Sequence, residues 1–96
     1  MGRFQAHADG DQIKLFIKEL KKFQMDFERL SFHLNSRLKS LESYWRDDAY
    51  RQFRDEFTPA VRELDKRNKE FVELKVDELN RYVKDLEEYL AGRTRR

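Results

Sequence analysis

Cysteine is missing from this chain altogether. That excludes a disulfide framework, a thiolate zinc site and a cysteine nucleophile, and it leaves the redox compartment unreadable. Proline occurs once and glycine three times in 96 residues. So few breakers rule against a strand-and-turn protein and favour long helices. No window approaches the ~18 uncharged apolar residues of a membrane span. The opening "MGRFQAHADG" has no apolar central region of the kind a cleavable signal peptide carries. The chain is therefore expected to be cytoplasmic when made and, if exported, to leave without such a signal.

A strong net charge is lacking as well. The formal value is +2, and Arg93, Arg95 and Arg96 account for more than all of it, leaving residues 1–92 at −1. Nucleic-acid binding calls for a basic stripe on a folded face, and a short arginine tail does not supply one. Basic residues are not segregated opposite the aromatics either, which argues against a helix lying on a membrane surface. Disorder is excluded from the other direction. Charged residues make up 42% of the chain, but 8 Phe, 4 Tyr and 1 Trp accompany them, and disordered segments are poor in aromatics and far from neutral. At this length one domain is expected.

What the sequence does have is periodicity. Asp9, three residues before Gln12, fits a helix N-cap. Behind it Ile13, Leu20, Phe27, Leu34 and Leu41 recur every seventh residue, with Phe16, Ile17, Phe23, Leu30 and Leu38 between them. This is a coiled-coil-like stripe. A second pattern of 3–4 spacing runs through Ala49, Phe53, Phe57, Ala60, Val61, Leu64, Phe71, Leu79, Tyr82, Leu86, Tyr89 and Leu90, interrupted by Asn68 and Lys75. A polar residue in a seam costs stability and can fix register. Pro59 is expected to kink or divide the second helix, and Gly92 to stop it.

The predicted organisation is a flexible segment over 1–8, a helix over about 10–44, a turn over about 45–48, a helix over about 49–91 and a basic tail over 92–96. The helices would be roughly 50 and 65 Å long. One continuous rod would expose both stripes; an antiparallel two-helix hairpin folds one onto the other. Trp45 falls where the first stripe ends, beside Asp47 and Asp48. Either aspartate can cap the second helix through its first-turn N–H groups, and the indole is expected to cover the elbow against Tyr50 and Phe53.

Catalytic and metal-binding motifs are sparse. His7 and His33 are the only histidines, and no His-Glu-x-x-His, Glu-x-x-His or glycine-rich phosphate loop occurs. Carboxylate doublets such as Asp77–Glu78 have the spacing of solvated helix surfaces, with cations four residues on. No catalytic residue, cofactor or metal ligand is assigned, and a non-enzymatic role is expected. A lone hairpin of this size is marginally stable. Met25 and Phe32 on the first helix, and Val72, Val76, Leu79 and Val83 on the second, flank the seams and are the predicted association surface. Pairing of two hairpins would give a four-helix bundle.

The run "WRDDAYRQF", with Trp45, Ala49 and Phe53 leading from the turn into the second helix, resembles the WXG (ESAT-like) family of helical hairpins associated with type VII secretion. The likeness covers residues 9–91. It departs from the family in having Asp47 in place of the glycine two residues after the tryptophan. It also lacks a tyrosine followed four residues later by an acid: Tyr82 precedes Leu86 and Tyr89 precedes Arg93. The resemblance implies a non-enzymatic secretion substrate, or a targeting or chaperone-like partner, forming a homodimer or pairing with a related hairpin or a larger effector. An adaptor or scaffold unrelated to secretion is the other reading the residues allow.

Overall fold

The structure is a computed structural model describing residues 8–94. The N-terminal segment up to His7 and the last two arginines of the basic tail lie outside the described residues. Two helices, α1 (Gly10–Leu41) and α2 (Asp48–Thr94), pack against each other as an antiparallel hairpin, and no strand occurs among the described residues. Its extents are 74 × 18 × 16 Å. A helix with its side chains is about 10 Å thick, so the cross-section holds one pair of helices and nothing else.

Local chemistry sets the boundaries. Asp9 has extended backbone and accepts from the N–H groups of Asp11 and Gln12 through Oδ1, at 3.0 and 3.3 Å. That satisfies two of the four donors a helix start leaves open. α1 ends at Leu41, three residues earlier than the periodicity predicts. Glu42, Ser43 and Tyr44 donate to carbonyls three residues back, and the Trp45 N–H donates to the Leu41 carbonyl at 3.0 Å. This tightening uses up the last carbonyls and turns the chain. Asp47 then restarts it: its Oδ1 accepts from the Tyr50 N–H at 3.0 Å, and its carbonyl takes the Arg51 N–H. Asp48 is the first helical residue and pairs with Arg51.

Neither Pro59 nor Gly92 ends the second helix. α2 is not divided at Pro59, whose ring is exposed. The missing N–H removes one backbone bond, and packing on both sides of it holds the remainder. The helix also passes Gly92 to reach Thr94, since a glycine can be helical at a cost of about 1 kcal/mol.

The core lies along the line between the helices. Ile17, Val72, Val76 and Val83 form its centre, with Ile13, Leu20 and Leu79 packed against them. Leu38, Tyr50 and Val61 continue it toward the turn and Leu86 toward the open end. Val72, Val76 and Val83 are thus not the association surface expected from the sequence, and Leu79 is half-buried beside them. The valines are compact, and they let α2 approach α1 more closely than a line of phenylalanines would.

Candidate interaction surface

Turning the valines inward turns another set of side chains outward. At 100° per residue, the ten apolar positions of the α1 stripe span an arc of about 140°. A single neighbouring helix covers only part of that. Ile13, Ile17, Leu20 and Leu38 face α2, together with half-buried Gln24, Ser31 and Asn35. Phe16, Phe23, Leu30, Leu34 and Leu41 do not; they are 40–56% exposed. The same division runs through α2, where Val61 and Leu86 are buried but Phe53, Leu64 and Phe71 are 46–57% exposed.

These two exposed lines fall on one side of the hairpin. On α1 they lie in the same rotational sense from the core as the second line does on α2, and antiparallel helices present such lines to a common face. The opposite face is polar. It carries the Lys14–Glu87 ion pair at 2.5 Å, a shallow groove walled by Glu28, Lys39, Arg54 and Arg62, and a second one beside Lys21, Glu70 and Glu73. The Glu87 carboxylate holds the Lys14 ammonium above its usual pKa, chiefly through their hydrogen bond. Met25 and Phe32 stand on this polar side, 65% and 75% exposed. Their neighbours one turn away include Lys21, Glu28 and Arg29, so they are single apolar side chains among charges and not a patch.

Ring contacts knit the apolar face together. The Phe53 and Phe57 rings stack at 5.1 Å, Phe23 lies 6.1 Å from Phe27, and Lys75 places its ammonium 5.9 Å above the Phe71 ring while pairing with Glu78 at 3.3 Å. Lys75 therefore lies along the apolar line instead of breaking it. Asn68 is half-buried in the same line, with its Nδ2 enclosed and making no hydrogen bond.

At the turn, the sequence points to Trp45 and the structure to Tyr50 with it. Tyr50 is 1% exposed, the most enclosed of the large side chains, and its hydroxyl donates to the Leu38 carbonyl at 2.8 Å. Trp45 is half-buried, packing edge-on to Tyr50 at 5.5 Å and tilted against Phe53 at 6.4 Å. The Arg54 guanidinium carbon sits 5.8 Å from the centroid of the Tyr50 ring and the group reaches Glu42 at 3.6 Å, tying the helices across the elbow. Tyr50 follows Trp45 by five residues and opens the second helix, and that position was its available signal. Asp47 is the cap, Asp48 opens the helix, and Ala49 is exposed. The indole and Phe53 thus carry the turn into the end of the apolar face.

Among the described residues there is no group of three or more His, Cys, Asp or Glu side chains placed to hold a metal ion, and no helix long and apolar enough to cross a membrane. Comparison of the chain with protein-family models, curated proteins and solved structures returns no match in any of the three.

Proposed function

We propose that this chain is a non-enzymatic interaction protein that acts by covering its apolar face with another helical protein. The observation that carries this reading is the face itself: large aromatic and aliphatic side chains in continuous lines on both helices, about half exposed, opposite a charged side. The chain leaves 8092 Å² accessible. A compact globular chain of its mass leaves about 5,900 Å², so the excess is roughly 2,000 Å². That excess counts polar and apolar surface together and follows from the elongated shape; it is the contiguity of the exposed apolar side chains that marks an interaction site.

The type of interaction protein is read from the turn. Trp45, Ala49 and Phe53 support a WXG-type role as secretion substrate or targeting partner of a type VII-like system, with Asp47 performing as a helix cap where the family has glycine. The test is export. A tagged full-length chain expressed from its own locus should appear in culture filtrate, and deletion of the secretion ATPase should abolish that. Equal retention in cells with and without the ATPase would remove the secretion role and leave the adaptor reading, which needs only the apolar face.

A further inference from the structure

We infer that the hairpin opens in two stages, its free ends parting along the valine seam while the turn stays closed. The apolar core is not continuous. Ile17, Val72, Val76 and Val83 form one cluster toward the open end, and Leu38, Tyr50 and Val61 are buried apart from it, toward the turn. Between the two, α1 turns half-buried Ser31 and Asn35 inward, and α2 half-buried Asp65 and Asn68. Phe27 is the one half-buried apolar side chain of α1 between Leu20 and Leu38. Leu30, Leu34 and Leu64 lie in this stretch but are 48–57% exposed. A polar layer thus separates two apolar clusters.

The layer holds the helices weakly. Asn35 Oδ1, Asp65 Oδ1 and Asn68 Nδ2 are enclosed and make no hydrogen bond. Each has given up water without gaining a partner, so parting the helices here restores hydration that closing them removed. Packing is thin as well. A groove of about 670 Å³ runs over Ser31, Asn35, Leu38, Thr58, Val61 and Asp65. Pro59 lies in the same stretch of α2. It offers no N–H to the carbonyl four residues back, which makes it the place where that helix bends at least cost.

Which end parts follows from what crosses between the helices. The turn end is joined covalently, by the Tyr50 hydroxyl on the Leu38 carbonyl at 2.8 Å, and by Arg54 on Glu42. The Trp45 and Phe53 rings close over it. The open end has the larger apolar cluster, but the Lys14–Glu87 pair beside it stands in solvent and adds little. Its side chains hold one another as a contiguous unit, and such units are lost together. Once that unit is lost the polar layer adds no resistance, and opening halts at Leu38 and Val61. The half-open chain presents the valine seam that the closed hairpin hides, with Trp45 and its neighbours unchanged.

The single tryptophan reports the turn, and the absence of cysteine lets a dye pair report the open end. Lys18 and Lys84 are exposed, and each lies about one turn from the Lys14–Glu87 pair. Dyes attached through Lys18→Cys and Lys84→Cys are followed together with Trp45 emission in one dilute sample of the full chain as urea is raised. Energy transfer should be lost at lower urea than the Trp45 signal changes. Val76→Ser should lower the transfer midpoint and leave the Trp45 midpoint in place. Asn35→Leu with Asp65→Leu joins the two clusters through apolar contact and should bring both midpoints together at higher urea. Coincident transitions without these substitutions would overturn the two stages. So would a Val76→Ser shift of both midpoints by the same amount. A split that persists in the double leucine variant would overturn the polar layer as the boundary.

Discussion

Removing one hydroxyl at Tyr50 would strand the Leu38 carbonyl, which the ring encloses and to which it donates at 2.8 Å. Tyr50→Phe should therefore cost about 1–3 kcal/mol in chemical denaturation. An unchanged midpoint would mean water reaches that carbonyl. Trp45→Ala should also destabilise, but by about 1–3 kcal/mol and not the 3–5 of a full core aromatic, because the indole is only half-buried against Tyr50 and Phe53. The exposed residues behave differently. Phe23→Ser should alter stability little at concentrations where the chain is a monomer and markedly where it is paired. Concentration-dependent melting would reveal that difference.

At the level of the helices, the starts are held by side chains and the middles by a narrow apolar seam. Asp47→Ala removes the acceptor for the Tyr50 N–H and should cost about 1 kcal/mol, read as a lowered denaturation midpoint. Asp26 and Glu63 are held below the usual carboxyl values of 3.8 and 4.5 by hydrogen bonds from Lys22 and Arg67. Groups depressed in this way stabilise the folded state above their ordinary values and lose that contribution as pH falls through the lowered ones. Lys14, raised above 10.5 by Glu87, has the opposite sign: its contribution is present below the ordinary value and goes as pH rises through the raised one. Stability followed by circular dichroism should thus stay level between about pH 5 and 10 as far as these three groups go. Lys14 and Glu63 are exposed and Asp26 is only partly covered, so their effect is small and weakened by salt. A steep loss near pH 6 to 7 would point to a group outside this set.

Seen whole, the hairpin was readable from the alternation of two apolar patterns with an aspartate-bearing break, and so was the cap at Asp9. Which side of each pattern faces inward was not. Helical spacing gives an arc of apolar positions, and a wide arc serves two neighbours equally well. On α2 the packing chose the valines at 72, 76 and 83 over the phenylalanine line, because closeness of backbones depends on side-chain size and not on hydrophobicity alone. Pro59 does not divide α2 for a related reason: one lost hydrogen bond is outweighed when the helix is packed on both sides of it. Tyr50 was named only as a neighbour of Trp45, since its hydrogen bond to Leu38 spans the turn and leaves no trace in local spacing.

The exposed apolar lines then decide the state of the molecule in solution. Two hairpins joined through them would bury the side chains that a single hairpin leaves half-exposed, while keeping the Lys14–Glu87 side in water. Static light scattering of the full-length protein over a dilution series tests this most directly. The predicted result is a mass twice the chain's 11.8 kDa at tens of micromolar, falling toward the single-chain value on dilution and lost at all concentrations in Leu30→Glu. A mass of one chain throughout the series would contradict it.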